Sequence, residues 1–411
     1  MLQFILLGLL FLVIEYYTFI AICQFTKRRI FRILHLVVSI VFVGYIIYGL
    51  SLFDRNSVSN QQPMMAAAMI VLLYLPKAII TVILIVEDLV RLITGIINYF
   101  RRVRNTNTDG FIPSRRRFVS NIALGIAALP FLSVLHGITL GRYKFNVYKT
   151  IIEFDDLPEA FDGFRFTQLS DLHVGSFDDK EKVEYAVQLI NEQETDLLLF
   201  TGDIVNSLAA EANPWIEVFQ KIRKHPYGNF SILGNHDYGD YAHWDTEEER
   251  KGNFEAICNI SPQIGFRLLR NENVILEKDG QQLAIVGVEN WGVRGHFQKF
   301  GDLDKATNGV EAKMFKILMS HDPSHWEAKV LAHPKNFQLT LSGHTHGSQF
   351  GIEIPGFIKW SPIQYVYKQW AGLYEEMGKY IYVNRGFGYH AYRGRTGIWP
   401  EITVIELRKK K

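Results

Sequence analysis

Four apolar stretches, each roughly twenty residues long, leave the first third of this chain little choice but to form helices that cross a bilayer. They run over residues 2–22, 33–53, 64–86 and 118–140. The first resembles a secretory signal in position, but its positive cluster, Lys27, Arg28 and Arg29, follows the apolar run instead of preceding it, which favours a retained helix. Residues 1–143 are therefore expected to form a membrane region of about four spans, and residues 144–411 a soluble domain.

The basic residues set the expected orientation. Lys27, Arg28, Arg29 and Arg32 lie between the first and second spans, and Arg91, Arg101, Arg102, Arg104, Arg115, Arg116 and Arg117 between the third and fourth. Between the second and third there is only Arg55. Cytoplasmic loops carry the excess of Lys and Arg, so the N-terminus and everything after residue 140 are expected outside. The chain then reads as a multi-pass protein of the cytoplasmic (inner) membrane with its C-terminal domain extracytoplasmic. Ser114-Arg115-Arg116-Arg117-Phe118 also resembles a twin-arginine export signal. The positive flank of the fourth span is the preferred reading, and either reading puts the C-terminal domain on the same side.

Two charges interrupt the apolar runs, Glu15 in the first and Lys77 in the third. Both spans run in the same direction, so the two should lie at similar depth. A pair that docks the two helices is one reading, because an isolated charge there costs on the order of 3 kcal/mol; a snorkelling Lys77, or a helix break beside Pro76, is the other. Residues 88–102 carry Leu89, Leu92, Ile93, Ile96, Ile97 and Phe100 at helical spacing, as an interfacial segment or an extension of the third helix. The net charge of +2 over 411 residues gives no basic field for nucleic acid. The cysteines, Cys23 and Cys258, lie in different regions, which excludes a disulfide framework and a cysteine metal site.

After Arg142 the pattern changes to short apolar strands alternating with helical segments. Residues 164–169 end in Ser170-Asp171-Leu172-His173, 196–200 in Thr201-Gly202-Asp203, and 230–233 in Gly234-Asn235-His236-Asp237. Residues 315–319 end in Ser320-His321-Asp322, and 337–341 in Ser342-Gly343-His344-Thr345-His346-Gly347. In βα-type sheets ligands bind outside the carboxyl ends of strands, so these clusters are expected on one rim. Carboxylate, imidazole and amide oxygen suit Mn, Fe, Zn or Ni, and the donors outnumber the needs of one ion. Paired ions are a recurring solution for phosphoryl displacement. Gly234 and Gly343 are expected to let the backbone turn sharply at strand ends.

The ordered set Asp-Leu-His, Gly-Asp, Gly-Asn-His-Asp, His, Gly-His-Thr-His resembles the calcineurin-like metallophosphoesterase superfamily. Leu157-Pro158, Phe164-Arg165-Phe166, the run from Gly356-Phe357 to Pro362, and Tyr382-Val383-Asn384-Arg385-Gly386 resemble its YkuE-like bacterial branch. The resemblance spans about residues 144–408 and implies an α/β four-layer sandwich, two β-sheets flanked by helices, with two divalent metal ions. Carried over, it implies Asp171, His173 and His346 on the first metal, Asn235, His321 and His344 on the second, and Asp203 bridging. It implies His236 as general acid, oriented by Asp237. Ser348 departs from the branch, which usually has a second glycine there.

Arg385, Arg393 and Arg395 are candidates for gripping substrate phosphate, with structural ion pairs as the alternative. Trp291, Trp326, Trp360, Trp370 and Tyr365 are read mainly as packing residues, with an apolar wall near the membrane as the alternative, and Arg408 to Lys411 as a solvated tail, with contact to membrane phosphates as the alternative. The expected function is hydrolysis of a phosphomonoester or phosphodiester by a hydroxide activated by two metals. The expected partners are a phosphorylated, lipid-linked or envelope substrate and the lipid bilayer. Two alternatives are a UDP-2,3-diacylglucosamine pyrophosphatase of lipid A synthesis and a catalytically inactive membrane sensor or assembly subunit.

Overall fold

The computed structural model describes residues 2–102, 113–294 and 297–411, so Arg104 of the second basic loop lies outside them. The chain divides into two compact units. One contains the residues up to Leu52 together with Gln62–His136, the other Phe53–Gln61 and Gly137–Lys411.

The first unit is helical. Helices α1 (Leu2–Phe25), α2 (Arg29–Ser51), α3 (Gln61–Arg102) and α4 (Pro113–Thr139) are all long and apolar enough to cross a membrane. At 42 residues, α3 is about 63 Å long, twice the ~30 Å of a bilayer's hydrocarbon core. Residues 88–102 therefore continue the third helix. Ala21, Ile80, Leu84, Ala123 and Ala127 form a buried cluster joining α1, α3 and α4. Small residues there let the helix backbones approach, which is how spanning helices associate in lipid.

The two intramembrane charges meet. Lys77 Nζ lies 2.5 Å from Glu15 Oε1 and 3.0 Å from Ser39 Oγ of α2, and Ser39 Oγ donates to Glu15 Oε2 at 3.1 Å. Arg116 of α4 reaches Glu87 Oε2 at 3.2 Å and also pairs with Asp88, so the arginine run belongs to a helix packed on α3. Glu15→Lys and Lys77→Glu are each expected to lower the yield of folded membrane protein, because each leaves an unpaired charge costing on the order of 3 kcal/mol. The double reversal should restore the yield measured by size-exclusion chromatography. A double variant no better than either single would remove the pairing account.

The second unit is built on two six-stranded sheets. The first has the order β1 (Asn146–Phe154), β14 (Glu401–Lys409), β2 (Arg165–Leu169), β3 (Leu197–Phe200), β4 (Asn229–Ser231), β5 (Arg267–Leu268). The second runs β12 (Gly372–Glu376), β13 (Lys379–Val383), β9 (Leu339–Ser342), β8 (Phe315–Met319), β7 (Gln281–Gly287), β6 (Glu272–Lys278). A separate hairpin pairs β10 (Ile352–Ile354) with β11 (Ile358–Trp360). Arg408 and Lys409 lie in β14, opposite Glu153 and Phe154 of β1, and are not part of a solvated tail.

Alternation with period two builds the layers. On β7, Leu283 and Ile285 join the cluster between the sheets, with Phe166, Leu199, Phe230, Ile317 and Leu341. Ala284 and Val286 point the other way, into an outer cluster with Trp326, Val330 and Phe337. Both faces of the sheet are therefore covered, as parallel strands require. Helix α5 (Lys180–Asn191) connects β2 to β3 and buries Val183, Ala186, Val187 and Ile190 at helical spacing; Asp179 caps it by accepting from Lys182 N. Trp326 and Trp370 are buried as packing residues, whereas Tyr365 is exposed.

Candidate metal centre

Strand register brings the five clusters together. Leu169 pairs with Phe200, Phe200 with Ser231, and Met319 with Leu341, so β2, β3 and β4 of one sheet and β8 and β9 of the other finish level. The two sheets meet directly at this rim, where His344 N donates to Asp171 Oδ1 at 3.0 Å. Among the described residues, eleven other than glycine have positive φ, and five are Asp171, His173, Asp203, His344 and His346. Left-handed backbone is costly for such residues and clusters where surrounding structure imposes it for function.

The glycines do a different job from the one expected. Gly234 and Gly343 do not have positive φ, and beside Gly343 the left-handed turn falls on His344. A side chain at Gly234 would collide with Asp203 Oδ1, and one at Gly343 with Ser170 Oγ and Asp171 Oδ2. Both are glycine so that a carboxylate can lie against the backbone. Ser348 has φ 52°, a conformation that favours the glycine usual in the resembling branch.

Three groups of side chains bring potential ligand atoms within 4.8 Å of one another: Asp171, His173 and His346; His173, Asp203 and His236; and Asp203, His321 and His344. Asp203 Oδ2 is 3.0 Å from His321 Nε2 and 3.6 Å from His173 Nε2, and Asp171 Oδ1 is 3.3 Å from His346 Nε2. Asn235 Oδ1 faces His344 Nδ1 at 2.7 Å, with Tyr367 OH 2.9 Å from the other nitrogen. Every residue expected at the two metals is thus on the rim.

Several histidines have their tautomer set by a carbonyl acceptor, which leaves Nε2 as the lone-pair atom a metal needs. His321 Nδ1 donates to Thr201 O at 2.8 Å and His236 Nδ1 to Asn206 O at 2.7 Å. His173 Nδ1 and His390 Nδ1 both donate to Asn206 Oδ1, at 3.0 and 2.9 Å. His173 Nε2 is buried with no hydrogen-bond partner, a costly state unless a cation takes the lone pair, and His321 Nε2 faces Asp203 Oδ2 at 3.0 Å, a contact that needs a proton or a cation between the two atoms. The residues present therefore fit divalent metal ions.

Asn206, His390 and Tyr241 were not expected from the sequence. Asn206 orients three histidines; its one visible signal is its place three residues after Asp203. Glu211 holds that loop, accepting from the backbone N–H of Asn206, Ser207 and Leu208 at 2.6–2.9 Å. His390 stacks on His173 with ring centroids 4.8 Å apart, and Tyr241 stacks on His236 at 4.4 Å.

The structure corrects two role assignments. Asp237 does not orient His236. Its carboxylate accepts from Asp203 N, Ile204 N and Gly234 N, all at 2.8 Å, because those amides crowd the turn that presents Asp203. The expected phosphate-gripping arginines are already engaged. Arg385 pairs with Glu353 and Glu401, each at 2.5 Å, and Arg393 pairs with Asp178. Arg395 is buried and donates to Arg385 O at 2.8 Å and Gly388 O, fixing the loop beside His346.

Electrostatics follow from this crowding. Burial opposes ionisation of Asp203, but the attraction of His321 and His236 holds its carboxyl well below the usual range. Burial likewise disfavours a charged His321, yet Asp203 pushes it up to about 10. Burial pushes Asp171 up to about 6, against the pull of His321. Asp237 is pushed up to about 7 by burial and then by the charge on Asp203. His173 and His346 are held well below their usual value by burial first, and are neutral, the form that ligates.

Comparison with known proteins agrees with this geometry. Residues 164–348 match the family described as calcineurin-like phosphoesterase, and residues 2–142 one described as probable calcineurin-like phosphoesterase, transmembrane domain. The chain is similar to the uncharacterized metallophosphoesterase YkuE of Bacillus subtilis, 30% identical over 302 residues, covering 72% of this chain and 98% of YkuE. It is similar to the Danio rerio transmembrane protein with metallophosphoesterase domain, 28% identical over 295 residues, covering 69% of this chain and 62% of that one. Phosphodiesterase YaeI of Escherichia coli is 26% identical over 301 residues, covering 72% of this chain and 99% of YaeI. Rim, fold and relatives together make this chain a member of the calcineurin-like metallophosphoesterases, a hydrolase of ester bonds carried on a four-helix transmembrane region.

Proposed function

We propose that this hydrolase cleaves a phosphomonoester or phosphodiester with Asp171, His173 and His346 holding one divalent ion, Asn235, His321 and His344 a second, and Asp203 shared. The observation that carries the reading is that Asp203 belongs to two of the three ligand groups, reaching His173 from one side and His321 from the other. When bound, paired divalent ions activate water and neutralise charge on phosphate oxygens. His236, when protonated on both ring nitrogens, gives the proton on Nε2 to the leaving oxygen and keeps the one on Nδ1, its ring fixed by Asn206 O and by stacking on Tyr241. Asp237 and Asn206 act as positioning residues.

The substrate in this proposal is lipid-linked and the site extracytoplasmic. Tethering to the bilayer raises the effective concentration of a target held in it. The segment 53–61, which joins two apolar helices, belongs to the same compact unit as the site. Asn56 exchanges hydrogen bonds with His243 at 2.7 and 2.8 Å, two residues from Tyr241, and Gln61 donates to Ser176 O at 2.8 Å, three residues after His173. The basic loops support the outer side, which disfavours a UDP-linked substrate made in the cytoplasm, and the complete ligand set disfavours an inactive subunit.

The test uses full-length protein in nanodiscs with Mn and matched phosphate esters, lipid-linked and soluble. The lipid-linked ester is expected to be preferred in kcat/KM by roughly 100-fold, the lower range of tethering gains. Equal kcat/KM would refute the lipid linkage, and absence of metal-dependent turnover on any ester would refute catalysis. A reporter fused after Lys144 should report outside; a cytoplasmic signal would revive the UDP-linked reading.

A further inference from the structure

The hairpin β10–β11 stands apart from both sheets. Its register opposes Ile352 to Trp360, Glu353 to Lys359 and Ile354 to Ile358, so side chains alternate between two faces. The charged pair lies on the face opposite the isoleucines and is engaged there. Glu353 is tied to Arg385, and Lys359 Nζ donates to Ala371 O and lies 5.1 Å from the Trp370 ring centroid. The other face and the tip are apolar and open to the outside: Ile352 49%, Ile354 51% and Phe357 86% exposed. Tyr365 and Val366, just beyond β11, are exposed beside them. A two-stranded hairpin that ties up its charges on one face and exposes its isoleucines and phenylalanine on the other and at the tip leaves an apolar patch open.

Its root says what covers it. Gly351 N donates to Thr396 O at 2.9 Å, and Thr396 N to Gln349 O at 2.7 Å. The neighbouring residue, Arg395, donates its N–H to Gly137 O at 3.1 Å, and Gly137 lies in the last turn of α4. The hairpin is therefore joined, through residues 395 and 396, to the point where the chain leaves its last spanning helix. An apolar tip flanked by Trp360 and Tyr365 has the chemistry of the aromatic belt at a membrane–water interface.

We infer that residues 352–360 form a second membrane contact, with Phe357 and Ile354 dipping into the acyl-chain boundary of the same bilayer that α4 crosses. The contact seats the hairpin tip in lipid, and it does not depend on the substrate being a lipid. The occupant is lipid, and a second copy of the chain is the competing outcome of the test.

The experiment places a bimane label at Phe357→Cys in full-length protein carrying Cys23→Ser and Cys258→Ser, reconstituted at one chain per nanodisc. The control label is at Ile275→Cys, which is exposed on β6. Acyl-chain-brominated phosphatidylcholine is expected to quench the label at 357 several-fold more strongly than the label at 275. Equal quenching at the two positions would overturn the proposal. So would protection of the label at 357 that appears only when chains are concentrated in detergent, since that assigns the tip to a second copy. The variant Phe357→Ser/Ile354→Ser should keep its turnover of a soluble aryl phosphate in detergent, which establishes that it folds, and should lose tight association of the catalytic unit with the bilayer, read as faster hydrogen exchange across residues 350–366 in nanodiscs. Unchanged exchange would also count against the contact.

Discussion

Asp203→Asn is expected to drop metal content from two ions per chain to fewer than one and to lower turnover by more than about 100-fold. That figure is the upper end for losing a partner that merely orients a ligand, and a shared ligand should exceed it. The carboxylate is buried, its Oδ2 faces His321 and His173, and its Oδ1 accepts from His236 N at 2.8 Å. An amide keeps the shape but removes the negative charge that lets one side chain be shared by two cations. It also releases His321 from the partner that pushes it up to about 10. Plasma emission spectrometry on the purified full-length variant checks the first effect, and hydrolysis of an aryl phosphate the second. Two retained ions would mean that Asp203 is not shared.

His236→Ala separates chemistry from metal binding. The variant should keep both ions and lose roughly 100-fold or more in turnover, the range expected for a general acid. The loss should grow as the leaving group becomes a poorer one, so alkyl phosphates suffer more than nitrophenyl phosphate, whose leaving oxygen needs no proton. His236 also shares a ligand-sized group with His173 and Asp203. If the alanine variant empties the site, His236 is a ligand and the protonating group must be sought elsewhere, with Tyr241 at 4.4 Å and His390 at 4.6 Å between ring centroids as the neighbours to test.

The main frame of this molecule is legible in its sequence because each part has a local physical signature. Twenty apolar residues in a row specify a span, and the Glu15–Lys77 pair follows from two costly charges at equal depth. Asp171, Asp203, Asn235, His321 and His344 announce themselves as polar clusters directly after strands. What the sequence hides is partnership across long separations. Arg385 finds Glu353 and Glu401, 32 and 16 residues away, and nothing nearby in the chain distinguishes it from an arginine free to hold phosphate. Asn206 looks like a loop residue until the fold places it under His173, His236 and His390. Asp237 sits next to His236 in sequence, which suggests a pair, but the crowded amides of the Asp203 turn claim its carboxylate instead.

The most direct measurement is a metal titration of chelator-stripped full-length protein in nanodiscs, with Mn binding and ester hydrolysis followed together. Two ions should bind per chain, with turnover rising as the second site fills, and both signals should vanish in Asp171→Asn/Asp203→Asn. Hydrolysis at full rate without added metal, or two ions bound by the double variant, would contradict the account.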